Sequence, residues 1–410
     1  MRRRDFMTLL GAAAFPMSAQ AKQAKQAKQQ NLIDRRLHQA VADKAVAGVV
    51  AIALDRQHVF YRGAFGVADA ESGRPLRADA LFRIASMTKA VTSVAAMQLI
   101  EAGKLDLEDP AAKHLPGFAE LSVFDAFDAE TGDYRLRPAR RSVTVRHLMT
   151  HTSGFGYPFT SAILRDFKPR AGEAGAIGPL LFDPGERWHY GTSTDWLGRL
   201  VAKASGEPLE HYFHRHIFAR LHMADTFYNV PEDKAARLAA VHRRQADDAI
   251  VKEADQPSPK VAMPIGGGGL SSTADDYARF LRMLLNGGAL EGARILSSRS
   301  VALMGENQIG ALGVPALKTA IPSRSNDFTF INDGRDKWGL GFLISAEHVP
   351  GKRSAGSLSW GGIFNTYFWL DPVRGVAGAI LMQFLPFADP KALAVYDSFE
   401  RGVYQLAGEA

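Results

Sequence analysis

Ala90 to Ala102 runs without proline or glycine and is apolar on nearly every face, stopping only at Gly103. A helix of that kind has no side to offer water, so it belongs in an interior and the rest of the chain must build layers around it. Its entrance is Ser86-Met87-Thr88-Lys89, the only S-x-x-K in the sequence, preceded by the extended-looking Leu81-Phe82-Arg83-Ile84-Ala85. A serine and a lysine three apart share one helical face, one turn from each other. The pair also sits at the positive end of the helix dipole. A serine hydroxyl is a weak nucleophile until a neighbouring base takes its proton, so an amine beside it carries chemical meaning. By composition alone about one such match is expected in a chain of this size. The plainer reading is a surface Ser and Lys at a helix start, and only further motifs separate the two.

Around this helix the pattern is strands at both chain ends and helices between. Residues 31–44 read as an amphipathic helix; 45–55 and 58–67 are β-branched and aromatic runs about Arg56-Gln57, a hairpin pattern. Helical periodicity returns at 191–206, 209–221 and 274–286, the last with Ser272 expected as its cap. A polar stretch at 125–141 reads as a surface excursion, and four successive glycines, Gly266 to Gly269, read as a sharp loop. Strands are expected at 338–346, 365–370 and 376–384, with Asp371 to Gly375 as a hairpin turn and a closing helix at 390–406. The expected fold is α/β of the α+β type. One antiparallel sheet is built from both chain ends and flanked by helices, with a mostly helical lobe inserted between. The cleft between lobe and sheet is where a site is expected.

The first residues read differently from the rest. Arg2, Arg3 and Arg4 precede Asp5-Phe6-Met7, a mild apolar run to Met17 and Ala19-Gln20-Ala21. That is a basic head, an apolar centre too short to span a bilayer and a small-x-small cleavage site. The paired arginines resemble a twin-arginine export signal, so residues 1–21 are expected to be removed and the mature chain to be periplasmic or secreted. Residues 22–30, repeating Lys-Gln-Ala, read as a solvated linker. Losing 1–21 removes three arginines and one aspartate and takes the net charge from +6 to +4. No stripe of basic residues interleaved with aromatics accompanies that charge, so nucleic acid is not an expected partner. No later run is apolar enough to insert in a membrane. With no cysteine, disulfide stapling, thiol catalysis and cysteine-bound metal are excluded.

Two further stretches carry chemistry. In Trp188-His189-Tyr190-Gly191-Thr192-Ser193 a tyrosine stands in a turn before a helix, where its phenol oxygen can enter a cleft. A phenol near an ammonium ionises more readily and can take and return a serine proton. In Ser359-Trp360-Gly361-Gly362-Ile363 paired glycines let a substrate approach a strand closely. An amide there, together with the amide of Ser86, would make a two-donor oxyanion hole. Read singly, the first is an ordinary core tyrosine and the second a tight turn. His211, His214 and His216 interrupt an apolar-periodic helix without an acidic partner cluster and read as a solvated face; no metal or cofactor is expected. His151 is not a triad base, since no G-x-S-x-G elbow exists in the chain.

Taken in order, Ser86-x-x-Lys89, Leu148-Met149-Thr150-His151-Thr152-Ser153-Gly154, Pro184-Gly185 with Tyr190, Gly266 to Leu270 and Trp360-Gly361-Gly362 resemble the serine β-lactamase and penicillin-binding protein superfamily. Within it the sequence is most similar to the family VIII carboxylesterases, which resemble class C β-lactamases. The resemblance implies a hydrolase domain over residues 31–407. It also implies Ser86 as the acylated nucleophile, Lys89 as its activator and Tyr190 as general base and acid. The amides of Ser86 and Ile363 would be the oxyanion donors, and Trp360, Gly361 and Gly362 would contact substrate.

The chain departs from the lactamase pattern twice. Trp360 replaces the lysine or histidine that helps hold a substrate carboxylate, and Tyr190-Gly191-Thr192 lacks the asparagine of Tyr-x-Asn. Both changes favour neutral esters, although Lys352 or Arg353 is placed in sequence to supply a cation from a nearby turn. The expectation is an exported serine hydrolase that cleaves carboxylic esters through an acyl-enzyme on Ser86, its partner a small-molecule ester or amide. Two alternatives stand beside it: a β-lactamase or D-alanyl-D-alanine peptidase, and a non-catalytic binding protein on the same scaffold.

Overall fold

The computed structural model describes residues 19–170, 177–254, 260–330, 332 and 334–408. The expected export signal lies outside them except for its last three residues. Eight strands form one antiparallel sheet in the order Lys337–Trp338, Leu343–Ile344, Leu358–Gly362, Thr366–Asp371, Val376–Leu381, Gly48–Asp55, Val59–Asp69, Arg74–Pro75. The two chain ends meet in its middle, where Val50 faces Leu381 and Ala53 faces Gly378. This is the sheet that the terminal strand patterns predict.

The Gly48–Asp55 strand is buried along almost its whole length because both sheet faces are covered. Val50, Ile52 and Leu54 point into the larger core, shared with the Thr88–Glu101 and Ala274–Leu285 helices. Val49, Ala51 and Ala53 point the other way, against Ile33 and Leu37 of the Ala19–Ala42 helix and Val395, Phe399 and Val403 of the Pro390–Gly408 helix. Period-two alternation thus serves two cores, each fully buried Val, Ile or Leu contributing about 1.5–3 kcal/mol. The Thr88–Glu101 helix is buried from Thr88 through Met97, as its all-round apolarity requires.

Three local expectations change, and a fourth gains detail. The Lys-Gln-Ala stretch is helical, part of the Ala19–Ala42 helix, and not an irregular linker. Alanine, lysine and glutamine are strong helix formers, and Ile33 and Leu37 anchor the following turns on the sheet. The polar excursion at 125–141 is a β-hairpin in part, Ser122–Phe127 paired with Tyr134–Pro138. The run expected as one strand at 338–346 breaks into two short strands about Gly341, whose φ is +103°. The cap of the Ala274–Leu285 helix is Thr273, one residue later than expected, its side chain accepting from the Asp276 amide.

Candidate active site

A short 3₁₀ turn, Ala85–Met87, carries Ser86 into the buried Thr88–Glu101 helix. Ala85 is held at φ +45°, a conformation an alanine adopts only when its surroundings impose it. They do so from two sides. The Ile84 amide donates to the Leu270 carbonyl at 2.9 Å, and the Leu270 amide donates to Thr88 Oγ1 at 3.3 Å. From the sheet, the Leu358–Gly362 strand presses in so closely that a Cβ on Gly362 would stand 2.4 Å from the Ile84 carbonyl oxygen. That contact explains the second glycine of Trp360-Gly361-Gly362 and sets Ile363 in the wall of the same cavity as Ser86.

Around the serine oxygen the described side chains are close. Tyr190 donates to Ser86 Oγ at 2.7 Å, and Lys89 Nζ donates to it at 3.1 Å. The Trp360 indole N–H reaches the Tyr190 hydroxyl at 3.4 Å. Lys89 also lies 4.9 Å from the Tyr190 ring centre, within cation–π range. Residues 86, 89, 190, 360 and 363, separated by as many as 277 positions, therefore share one site. Behind it His151 packs its ring 5.0 Å from that of Tyr190. Burial first, then the charge of Lys89, hold His151 well below the usual imidazole range, so it stays neutral and acts as packing.

Three partners were not legible in the sequence. Lys89, 1 % exposed, gives one N–H to the Gly267 carbonyl at 2.6 Å and another to the Tyr157 hydroxyl at 3.2 Å. The Gly267 amide in turn donates to Asp195 Oδ1 at 2.7 Å. The glycine loop is thus more than a sharp turn: the Gly267 carbonyl accepts from the lysine while its amide, in the preceding peptide group, donates to a carboxylate. A Cβ on Gly267 would stand 2.3 Å from Asp195 Oδ1 and 3.0 Å from the Tyr157 hydroxyl, so the position excludes larger residues. Burial, with the Asp195 charge added, pushes the Tyr157 phenol well above its ordinary range. Tyr157 therefore keeps its proton and is no substitute for Tyr190 as a proton carrier. The only sequence signal for Tyr157 was its place just beyond Thr152-Ser153-Gly154.

The cavity that Ser86 opens into measures about 260 Å³ and is walled largely by apolar side chains, including Phe159, Leu317, Phe328, Phe330, Leu343 and Trp360. Phe330 stacks on Trp360 at 5.8 Å between ring centres and 18° between planes. Lys352 and Arg353 also line it, but neither offers a free charge. Arg353 holds Glu400 through two hydrogen bonds, at 2.7 and 2.9 Å, and Lys352 lies 2.9 Å from Asp397 and 3.1 Å from Glu400. Both cations are spent on neighbouring carboxylates.

Comparison with known proteins places this geometry. Over 410 aligned residues the chain is 30% identical to a monacolin J acid methylbutanoyltransferase of Aspergillus terreus, covering 91% of this chain and 95% of that protein. It is 29% identical over 396 residues to a lovastatin esterase of Penicillium rubens, covering 91% and 98%. A simvastatin synthase (LovD) variant from Aspergillus terreus superimposes with a TM-score of 0.80 at 28% identity, over 94% of this chain and 98% of that one. The family model named Beta-lactamase matches residues 33–398. The chain belongs to the β-lactamase family.

Proposed function

We propose that this protein is a serine hydrolase that cleaves carboxylic esters through an acyl-enzyme on Ser86. The observation that carries the proposal is the pair of contacts at one oxygen, Tyr190 at 2.7 Å and Lys89 at 3.1 Å, on a serine opening into an apolar cavity. Once Tyr190 has released its own proton, its phenolate takes the proton of Ser86 as Oγ attacks the ester carbonyl. The amides of Ser86 and Ile363 receive the oxyanion, and the Lys89 ammonium balances the phenolate before the proton moves and steadies charge on the attacking serine oxygen. On collapse the bond to the alkoxide breaks, Tyr190 protonates the departing alcohol, and the acyl group stays on Ser86. Water then enters, gives a proton to Tyr190 and attacks the acyl carbon; Ser86 leaves with that proton restored, and the acid departs.

Neutral esters suit the site better than lactams. Trp360 stands where lactamases hold a substrate carboxylate with a cation, and the nearby Lys352 and Arg353 are already paired. Transfer of the acyl group to an alcohol instead of water is the second reading, favoured by the 30% identical methylbutanoyltransferase and by a largely apolar cavity that disfavours water. Export through the amino-terminal arginine-rich segment completes the proposal, and the amino terminus of the mature protein, sequenced from the native host, tests it.

For the chemistry the test is p-nitrophenyl butyrate turnover with and without an added alcohol. Hydrolysis that vanishes in Ser86→Ala, together with fluorophosphonate labelling of the wild-type serine, supports the reading; unlabelled wild-type Ser86 would favour a binding protein. Ester product appearing with the alcohol identifies transfer, and nitrocefin cleavage outpacing the ester would return the lactamase reading.

A further inference from the structure

Lys89 is a buried ammonium whose three N–H groups all end on oxygens that carry no charge: Ser86 Oγ, Gly267 O and Tyr157 Oη. Removing an ammonium from water without a counter-charge is costly, and the usual remedy is a carboxylate in direct contact. Here the carboxylate is one step back. Asp195, in the Ser193–Ser205 helix, accepts from the Gly267 amide at 2.7 Å and adds its charge beside the Tyr157 hydroxyl.

We infer that Asp195 and Tyr157 are positioning residues for Lys89. The carboxylate, acting through the Tyr157 hydroxyl and by anchoring the Gly267 backbone whose carbonyl the lysine reaches, holds the ammonium on Ser86 without forming a salt bridge to it. The inference rests on the acyl-enzyme reading of Ser86 and adds to it how the lysine stays charged yet available. A direct Lys–Asp pair would draw the ammonium off the serine. A relay through a phenol, with the Gly267 backbone anchored alongside, supplies the negative potential from behind and leaves one N–H for Oγ. Tyr157 is suited to this because its proton is firmly held, so the relay is a fixed dipole rather than a titrating group. Phe159 stacks on its ring at 5.2 Å and 18°, which fixes the phenol's direction.

The other titratable groups facing the cluster are Tyr190 and the neutral His151 on the Ser86 side, with Arg199 and Tyr228 acting on Asp195 from behind. None of these donates or accepts at Lys89 Nζ among the described contacts. Asp195 itself is pushed up by burial, against the pull of Lys89, so the carboxylate and the ammonium depend on each other.

The test uses Tyr157→Phe and Asp195→Asn in the full chain, with p-nitrophenyl butyrate kinetics across pH and the rate of Ser86 labelling by a fluorophosphonate. Displacing the lysine from its serine should lower kcat by about 10- to 100-fold in each variant. KM should change little, labelling should slow in parallel, and the pH profile of kcat/KM should differ from that of the wild type. A residue that served packing alone would alter melting and leave the pH profile where it was. Tyr157→Phe keeps the ring and its stacking and decides the matter should Asp195→Asn fail to fold. Wild-type labelling with unchanged kcat and pH profile in folded Tyr157→Phe overturns this inference alone; wild-type Ser86 that does not label overturns it together with the reading beneath it.

Discussion

Lys89 and Lys352 are both buried lysines near one cavity, and their partners differ in kind. Lys89 meets a serine hydroxyl, a tyrosine hydroxyl and a peptide carbonyl. Lys352 meets the carboxylates of Asp397 and Glu400, beside Arg353, which shares Glu400 and also donates to the Tyr396 hydroxyl at 2.7 Å. In the second cluster positive and negative charge cancel locally, and what remains is a strut fastening the 352–353 turn to the Pro390–Gly408 helix. In the first the positive charge is not cancelled at contact, so its field is felt at Ser86 Oγ. Buried charge can therefore serve architecture or chemistry within one molecule, and the nature of the atoms in contact decides which.

The comparison breaks most readily at Lys89. Lys89→Met should lower ester kcat/KM by about 10³–10⁴-fold while the protein stays folded, the scale expected for losing an activating group. A folded Lys89→Met with near-native turnover would remove the distinction. Tyr190→Phe should cost about 10²–10⁴-fold, mostly in acylation and read as a slower pre-steady-state release of p-nitrophenol.

At the other cluster the loss falls on stability and not on turnover. Arg353→Met should lower unfolding free energy by about 3–5 kcal/mol, because Glu400 is left buried without its main partner. Turnover by the folded fraction should stay within about tenfold of wild type, far less than the loss at Lys89. Urea titration and active-site counting separate the two quantities.

Acid should weaken the fold before it touches the carboxylate pairs. Burial holds His189 down to about 4, with Arg187 adding to it, and burial also lowers His147, His151 and His242. These side chains bind protons in the unfolded chain before they do so in the native one. Their contribution is whole above pH 6.5 or so and is lost as pH falls below it, for His189 toward about 4. Asp276, raised to about 6 by burial, works the other way, keeping its proton in the native state over part of that window. Asp195, also raised by burial, acts in the same sense, and four groups against two predicts a melting temperature that drops from pH 7 to 5, measurable by calorimetry. The smallest effect is expected for Trp360→Lys: a modest rise in nitrocefin hydrolysis with reduced ester turnover, since a cation alone does not restore the asparagine missing at Thr192.

What the sequence discloses divides along the same line. The all-round apolar Ala90–Ala102 stretch, the alternating strands and the order of the Ser86, Tyr190 and Trp360 motifs are local patterns, and each kind of local pattern maps onto an element or a cavity-lining residue. The partners of Lys89 do not, because Tyr157, Asp195 and Gly267 meet only after two loops and a second helix pack against the Thr88–Glu101 helix. Asp195 reads in sequence as an ordinary acidic residue in the first turn of a helix. Gly267 reads as part of a turn, and only the 2.3 Å approach of Asp195 shows why a side chain is excluded there. The pairing of Lys352 and Arg353 was hidden for the same reason: their partners lie in the closing helix, 45 and 47 residues further on. The helical course of residues 22–30 was available in principle, since Lys, Gln and Ala favour helix; charge and polarity pointed elsewhere.

Ser86 acylation can be observed directly. Wild-type protein mixed with p-nitrophenyl butyrate, quenched in acid within milliseconds and digested for mass spectrometry, should carry a butyryl group on the peptide containing Ser86, with the adduct disappearing as substrate is consumed and absent from Ser86→Ala. Steady ester turnover with an unmodified Ser86 peptide at every time point, or turnover that survives Ser86→Ala, would contradict the acyl-enzyme mechanism.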